Sequence, residues 1–282
     1  MVVFPNCKIN LGLTILDKRG DGYHNLQSIF IPVPLCDAIE IIEAENDELF
    51  FYGEKVEGDA INNSCIKALK ILRGVRKFPT VHIHLLKKIP MGAGLGGGSS
   101  DGAFTLKLLN KKFNLELSNN ELIEFALQIG SDCAFFIYDT PMYVEGRGEK
   151  LSFIETELKD YFVAIAYPEV HVDTATAYNL LIDFRKLNGL ISASNLKEHF
   201  INAKLEEWKH VIFNDFENLV FSKYPEIQKW KSFFYDNGAL FSLMSGSGSS
   251  VFGIFKKSSS TNNAGLLFKQ YPNIFVKNFS FE

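Results

Sequence analysis

The sequence predicts an α+β protein with two domains, over residues 1–155 and 156–282. Its 282 residues exceed the usual length of one domain. A glycine-rich loop at residues 90–100 stands between a strand pattern and a helix pattern in the first part. In the second part, the order strand–helix–helix–strand–helix–strand is typical of a small α+β domain. Together these observations predict the fold class.

The composition indicates a globular chain with a sizeable core. Apolar residues make up 46% of the sequence, aromatic residues 13%, and Phe occurs 26 times, which disfavours disorder. The net charge of −4 argues against sequence-independent nucleic-acid binding, which needs a basic surface. We interpret short basic pairs such as Lys87-Lys88 and Lys111-Lys112 as solvated faces.

The N-terminus and the cysteines indicate a cytoplasmic protein. No signal-peptide pattern and no apolar run of bilayer length is found. The cysteines Cys7, Cys36, Cys65 and Cys133 are scattered without metal-ligand spacing, as expected of reduced thiols. We therefore expect neither a membrane nor a nucleic acid as a partner.

The first strand pattern contains two polar residues of interest. Apolar and polar residues alternate over 7–16, which predicts a half-buried strand with Lys8 and Asn10 on its polar face. Without further context, Lys8 would be a solvated strand lysine. An Asp-Gly turn then leads to Tyr23 and His24. These two are either turn-edge residues or a pair able to stack on and hydrogen-bond a planar base.

The elements predicted before the loop are strands over residues 26–33, 38–44 and 81–85 and a helix over 63–73. Pro32 and Pro34 indicate an edge or a bend in the first of these strands. Asn62 or Asn63 is suited to cap the helix. His82 and His84 could ligate zinc as a pair, but no third ligand follows nearby, and the polar side of a strand is favoured.

The glycine-rich loop predicts a phosphate site. Glycines let the backbone turn tightly and bring its N–H groups against a ligand, and a helix that begins after the loop adds N–H groups and a positive dipole end. A flexible linker is disfavoured because a helix to about residue 111 follows. The loop residues are Pro90, Met91, Gly92, Ala93, Gly94, Leu95, Gly96, Gly97, Gly98, Ser99 and Ser100.

Several signals follow the loop. Ser118 and Glu121 form a capping box for a helix that ends near residue 130. Asp132, after Ser131, either caps a short helix or has a chemical role. The remaining predicted elements are a tight turn at residues 144–149, a strand at 162–166, a capped helix from Asp173 or Thr174, helices over much of 195–236, a strand at 251–255, and a last helix and strand.

Other phosphate-binding motifs fit the loop poorly. Gly92, Gly94 and Gly97 match the dinucleotide pattern G-x-G-x-x-G, but strands and a helix precede them and no acidic residue ends a following strand. A Walker loop would end in Lys-Ser or Lys-Thr, and the protein-kinase triplets are missing. An oxidoreductase is therefore disfavoured.

Residues 90–100 resemble throughout the phosphate motif of the GHMP kinase superfamily, Pro-x-x-x-Gly-Leu-Gly-[Gly/Ser]-[Gly/Ser]-Ser-[Ser/Ala]. Within it, the chain is similar over nearly its whole length to the branch whose substrate carries a cytidine diphosphate, and Asp-Gly-Tyr-His is the most specific element. The matching segments are Cys7-Lys8-Ile9-Asn10-Leu11, Arg19-Gly20-Asp21-Gly22-Tyr23-His24, Gly130-Ser131-Asp132 and Met244-Ser245-Gly246-Ser247-Gly248. The resemblance implies an N-terminal domain like ribosomal protein S5 domain 2 and a ferredoxin-like C-terminal domain.

The resemblance also implies an activity and site roles. The branch transfers the γ-phosphate of ATP to the tertiary 2-hydroxyl of a methylerythritol unit, on the non-mevalonate route to isoprenoid precursors. Asp132 is implied as the general base and Lys8 as its charged partner, residues 90–100 as the ATP-phosphate loop, and Asn63 as a residue near the adenine. The implied substrate residues are Asn10, Tyr23, His24, Thr174 and Tyr178, with Gly246, Ser247 and Gly248 supporting the motif.

The resemblance also bears on the cofactor, the oligomeric state and the rival interpretations. Mg²⁺ is implied as a cofactor without assigned ligands, and the chain is expected to be a monomer or a weak homodimer. The stretch His171-Val172-Asp173-Thr174 matches the family less well than the other segments. The rival interpretations are a mevalonate- or homoserine-type GHMP kinase and a non-catalytic nucleotide-binding module.

Overall fold

The computed structural model describes residues 1–54, 62–174, 176–178, 181, 195–257, 268 and 270–279, which fall into two compact units. The first unit consists of Met1–Cys7, Leu35–Met91 and Gly96–Thr140. The second consists of Lys8–Pro34, Gly92–Leu95 and Pro141–Glu282. The units alternate along the chain, and the division of the sequence after residue 155 stays a prediction.

The strands in chain order are β1 (Val2–Val3), β2 (Asn6–Lys18), β3 (His24–Cys36), β4 (Ala38–Glu43), β5 (Glu48–Gly53), β6 (Val81–Lys87), β7 (Met142–Gly146), β8 (Lys150–Phe153), β9 (Tyr161–Ala166), β10 (Phe241–Met244), β11 (Val251–Lys256) and β12 (Ile274–Asn278). The helices are α1 (Ser64–Val75), α2 (Gly97–Lys112), α3 (Asn119–Ile129), α4 (Cys133–Tyr138), α5 (Leu196–Asn202), α6 (Trp208–Val211), α7 (Glu217–Lys223) and α8 (Pro225–Asp236). Short 3₁₀ turns lie at Leu158–Asp160 and Leu205–Glu207.

The first unit contains a four-stranded sheet in the order β1-β4-β6-β5, in which β5 runs parallel to β6 and the other pairs are antiparallel. Alternation along β6 buries Val81, Ile83 and Leu85 completely. His84 lies on the opposite face and stacks on Phe50 at 4.9 Å. The described residues contain no group of metal-ligating side chains.

The helices of the first unit pack closely where side chains are small. A Cβ at Gly102 of α2 would lie 3.0 Å from the Cβ of Ser64, which begins α1. The glycine therefore lets the two helix backbones approach each other. The apolar face of α1, formed by Cys65, Ala68, Leu69 and Leu72, is buried.

The second unit contains two four-stranded sheets. One has the order β2-β3-β7-β8 and the other the antiparallel order β10-β11-β9-β12, which is the strand order of a ferredoxin-like fold. A large share of the phenylalanines pack around the second sheet. Phe162 stacks on its cross-strand partner Phe255 at 5.0 Å. The Phe234 ring makes edge-to-face contacts with Phe255 and with Phe268.

Most local predictions are confirmed. Asn63 caps α1, Ser118 and Glu121 form the capping box of α3, and β7 and β8 form the hairpin around residues 146–149. Asp173 accepts a hydrogen bond from the Thr176 N–H at 2.8 Å, as a helix cap does. The strands β1, β5 and β10 were not predicted from the sequence, and the predicted last helix falls largely outside the described residues.

Two expectations were wrong, and one of two alternatives is excluded. α2 begins at Gly97, inside the glycine run and directly after Gly96, which adopts the left-handed conformation. Of the edge or bend that Pro32 and Pro34 indicated, the edge is excluded because β3 lies between β2 and β7, and both prolines lie beyond the residues paired with β7. Lys87 is 3% exposed, not solvated, because two carboxylates enclose it.

Among the described residues, no helix combines the length and the apolar character needed to cross a bilayer.

Candidate active site

The glycine-rich loop leaves β6 through Pro90 and enters α2 at Gly97. Gly92, Gly94 and Gly96 have φ values of 64°, 76° and 72°, a left-handed conformation that glycine adopts without strain. The Ser100 N–H donates to Gly96 O at 2.9 Å and so closes the first turn of α2. The earlier N–H groups of that turn have no intrahelical acceptor and suit an anion.

The segment from Met244 to Ser250 supports the loop within the second unit. The Ser245 hydroxyl donates to Gly94 O at 2.9 Å, and the Ser250 N–H donates to Ala93 O at 3.1 Å. A Cβ at Gly94 would lie 2.1 Å from Ser245 O, so no larger residue fits there. The glycine–serine motif at residues 244–248 is thus placed against the glycine-rich loop.

Lys8 and Asn10 lie together on β2, as predicted, but both are buried rather than on a solvated face. The Lys8 ammonium donates to Asn10 Oδ1 at 2.5 Å and lies 4.4 Å from the centre of the Phe30 ring. The Asn10 amide donates to the Ser28 hydroxyl at 2.9 Å, and the Lys8 N–H donates to Leu95 O at 2.9 Å. This part of β2 therefore contacts the glycine-rich loop directly.

Asn214 is a buried residue of the second unit that sequence reasoning missed. Its side-chain nitrogen donates to Met244 O and Gly246 O, each at 2.8 Å, and its oxygen accepts the Phe216 N–H. It thereby fixes the backbone of the segment that supports Gly94. No local pattern marks it, since a lone Asn in a loop usually makes only short-range bonds.

His24 and Tyr178 are brought together in the second unit. Their rings stack at 4.9 Å, and His24 is only 9% exposed. Burial and the nearby Lys18 ammonium lower the pKa of His24, which favours the neutral imidazole. Within the described part of the chain, its Nε2 atom has no hydrogen-bond partner.

Tyr23 and Thr174 take other positions in the same unit. The Tyr23 ring is 53% exposed and lies 5.1 Å from the Arg147 guanidinium. The Thr174 hydroxyl is hydrogen-bonded to the Ser247 hydroxyl at 2.9 Å. Thr174 therefore contacts the motif segment, whereas Tyr23 lies at the surface.

Asp132 precedes α4 in the first unit. Its side chain makes no capping hydrogen bond to that helix, so the capping interpretation is not supported. α4 is held at its other end by Lys107 of α2, whose ammonium lies 3.4 Å from Phe136 O and Ile137 O. The neighbouring Cys133 thiol is inert as a nucleophile, because burial raises its pKa to about 12.

The Asn63 side chain, for which the resemblance implies a position near the adenine, caps a helix in the structure. Its Oδ1 accepts the Cys65 N–H at 2.8 Å and caps α1.

The first unit also contains an ion cluster that the sequence did not indicate. In it the ammonium of Lys87 lies between the carboxylates of Asp37 and Asp101. Because Asp37 and Lys87 are far apart in the sequence, no local sequence pattern could predict this cluster.

The chain is similar in sequence to known proteins. Residues 46–140 match the GHMP kinases N terminal domain, and residues 195–266 match the family described as GHMP kinases C terminal. The chain is 46% identical over 259 residues to the 4-diphosphocytidyl-2-C-methyl-D-erythritol kinase of Bacteroides fragilis, covering 90% of this chain and 92% of that protein. It is 44% identical to the protein of that name from Parabacteroides distasonis, covering 91% and 92%.

Solved structures extend the likeness to the fold. A crystal structure of 4-(cytidine 5'-diphospho)-2C-methyl-D-erythritol kinase matches with a TM-score of 0.80 at 26% identity, covering 98% of each chain. The Methanococcus jannaschii mevalonate kinase matches with a TM-score of 0.72 at 17% identity, covering 100% of this chain and 98% of that one. This second likeness concerns the fold alone.

Proposed function

The chain belongs to the family of 4-diphosphocytidyl-2-C-methyl-D-erythritol kinases, and we propose from this that it transfers the γ-phosphate of ATP to the 2-hydroxyl of 4-diphosphocytidyl-2-C-methyl-D-erythritol. It is an ATP-dependent small-molecule kinase of the GHMP group. The reaction belongs to the non-mevalonate route to isoprenoid precursors.

The phosphate loop is the observation that carries the proposal. Three left-handed glycines lead into the N-terminus of α2, and Ser245 supports the loop at Gly94. Backbone N–H groups at the start of a helix bind phosphate without any basic side chain, because the helix dipole adds a partial positive charge. This arrangement suits the triphosphate of ATP.

Asp132 and Lys8 are the proposed chemical groups. A carboxylate held at hydrogen-bond reach can accept the proton of the tertiary hydroxyl as the phosphoryl group arrives. A lysine ammonium offsets negative charge on the transferring group. The hydrogen bond from Lys8 to Asn10 favours one lysine rotamer, which supports a positioned cation rather than a mobile surface charge.

The proposed cytosine site uses His24 with Tyr23 and Tyr178. The buried Nε2 atom of His24 can hydrogen-bond a base edge, and the stacked contact with Tyr178 fixes the plane of the imidazole. Asn10 and Thr174 are proposed to line the methylerythritol diphosphate. The exposed Tyr23 ring supplies an aromatic face that a base can cover.

Three further roles belong to the proposal. Asn63 lies near the adenine through the atoms that its cap leaves unused. Mg²⁺ accompanies ATP and neutralises phosphate charge when bound. We place the enzyme in the cytoplasm, as a monomer or a weak homodimer.

A coupled assay of ATP consumption tests the function. The protein is supplied in turn with 4-diphosphocytidyl-2-C-methyl-D-erythritol, mevalonate and homoserine as phosphate acceptors. We expect turnover only with the first. Turnover with one of the other two would identify a different GHMP kinase, and ATP binding without turnover on any acceptor would indicate a non-catalytic nucleotide-binding module.

A further inference from the structure

A buried ion cluster lies directly beneath the phosphate loop in the first unit. The Lys87 ammonium donates to Asp37 Oδ2 and, at 2.7 Å, to Asp101 Oδ2. The exposed fractions of the three side chains are 2%, 0% and 3%. Ions that are buried this completely are costly unless well paired, so the cluster needs a structural or functional reason.

Asp37 holds the chain that enters the loop. Besides its contact with Lys87, its Oδ1 atom accepts the N–H groups of Lys88 at 2.6 Å and Ile89 at 2.9 Å. These two residues immediately precede Pro90. One carboxylate therefore fixes both the ammonium at the end of β6 and the two peptide units that follow it.

Asp101 and Gly97 hold the chain that leaves the loop. Asp101 lies one turn into α2 and bonds the same ammonium. A Cβ at Gly97 would lie 2.9 Å from Ile89 Cγ2 and 3.3 Å from Lys87 Nζ, so the first residue of α2 packs directly on these groups. The segments that precede and follow the loop are thus both in contact with Lys87.

We propose that the Asp37–Lys87–Asp101 cluster positions the phosphate loop, by fixing the N-terminus of α2 to the end of β6, and thereby sets the affinity for ATP. These residues do not touch the reacting atoms and act through the backbone N–H groups of the loop. The inference rests on the proposed role of the loop in binding the triphosphate. It adds a set of positioning residues to that site.

The charge of the cluster adds a pH dependence. Two carboxylates and one ammonium carry a net charge of −1, and the Asp101 Oδ1 atom has no hydrogen-bond partner in the described residues. Burial, opposed by Lys87 and reinforced by Asp37, raises the pKa of Asp101 to about 7. Within the described part of the chain, the Cys65 thiol of α1 also faces Asp101, and burial keeps that thiol neutral by raising its pKa.

The sign of the effect follows from these charges. Below the pKa of Asp101 a proton on this carboxyl leaves the cluster neutral. Above that pKa the cluster gains one negative charge beneath the helix end that receives the triphosphate, so the affinity for ATP falls as the pH rises. The titration of ATP itself is common to every variant, so only the difference between variants reports on Asp101.

Two substitutions and a control separate positioning from simple destabilisation. Asp101→Leu removes the acceptor for Lys87, whereas Asp101→Asn keeps an oxygen acceptor and removes the charge. Asp47→Asn is the matched control, since Asp47 pairs with Arg73 and accepts the Val81 N–H at 2.8 Å at the other end of β6. Each variant is compared with the unmodified protein by thermal unfolding before its ligand affinity is measured.

The experiment measures the ATP dissociation constant by titration calorimetry and the two KM values by steady-state kinetics, at pH 6.5, 7.5 and 8.5. We expect Asp101→Leu to weaken ATP binding by roughly tenfold or more while the KM for the cytidylated substrate stays within about twofold. Asp101→Asn and Asp47→Asn should bind ATP as the unmodified protein does at pH 6.5, and Asp101→Asn should lose the weakening towards pH 8.5 that the unmodified protein shows.

Equal effects of Asp101→Leu on both substrates, no effect on either, or the same pH dependence in Asp101→Asn as in the unmodified protein would each overturn the inference. Calorimetry needs no turnover. The positioning role can therefore fail while the kinase activity is confirmed, and it can hold if that activity is refuted.

Discussion

Replacing Gly94 by alanine tests whether the Ser245 contact sets the geometry of the phosphate loop. The added Cβ would lie 2.1 Å from Ser245 O and 3.1 Å from Gly248 O, and both atoms belong to the backbone. Neither can rotate away as the end of a side chain could. The loop or the supporting segment must therefore move by about 1 Å to restore ordinary contact.

The expected magnitude has two parts. Alanine at a φ of 76° costs roughly 1–2 kcal/mol of folding free energy, because its Cβ crowds the carbonyl oxygen in the left-handed region. The displacement acts on catalysis separately. A misplacement of about 1 Å can reduce a rate on the order of 100-fold when it disturbs positioned groups.

The assay compares Gly94→Ala with Gly238→Ala in kcat/KM for ATP and in thermal unfolding. Gly238 has a φ of 90° but no atom within 4 Å of an added Cβ, so its substitution carries the same kind of strain without the collision. We expect both variants to lose stability through the left-handed strain, and Gly94→Ala to lose more because its Cβ also collides with backbone atoms. Only Gly94→Ala should lose about 100-fold in kcat/KM for ATP.

The reasoning is refuted if Gly94→Ala keeps its kcat/KM within about threefold of the unmodified protein, or if Gly238→Ala loses as much activity as Gly94→Ala. The first result would show that the loop tolerates displacement. The second would show that strain alone accounts for the loss.

Three other substitutions have distinct expected outcomes. Asp132→Asn should leave ATP binding nearly unchanged and reduce kcat by ~10²–10⁴-fold in single-turnover measurements, since it removes the proton acceptor; near-normal turnover would exclude Asp132 as the base. His24→Ala should raise the KM for the cytidylated substrate far more than that for ATP, and equal changes would exclude base recognition by His24. Asn214→Leu should cost about 1–3 kcal/mol in chemical denaturation and raise the KM for ATP, because two buried carbonyls lose their donor; unchanged stability would contradict its bracing role.

Local sequence patterns predicted those elements whose signals lie within a few residues. The cap at Asn63, the capping box at Ser118 and the hairpin after β7 all depend on bonds between near neighbours, so single segments encode them. The glycine run likewise indicated a tight loop that leads into a helix, and its binding of phosphate stays a prediction. It placed the start of α2 too late, since glycine has a low helix propensity that tertiary packing overrides here.

Partners that are distant in sequence could not be predicted. Lys87 resembled a solvated lysine because its partner Asp37 lies 50 residues earlier in the sequence. Lys8 also resembled a solvated lysine, because its burial depends on the folding of the whole second unit. Asn214 bonds Met244 and Gly246 some 30 residues later. Such contacts are set by chain topology, which no spacing rule within one segment reports.

The position of the transferred phosphate is the most direct test of the proposed function. The 2-hydroxyl is tertiary, so a phosphate monoester formed on it has no hydrogen on the attached carbon. In a proton-coupled ³¹P NMR spectrum of the reaction with ATP and 4-diphosphocytidyl-2-C-methyl-D-erythritol, we predict a new monoester resonance that stays a singlet, with ADP formed in equal amount. A split resonance, which marks a primary or secondary ester, or ADP formation without any new monoester, would contradict the proposal.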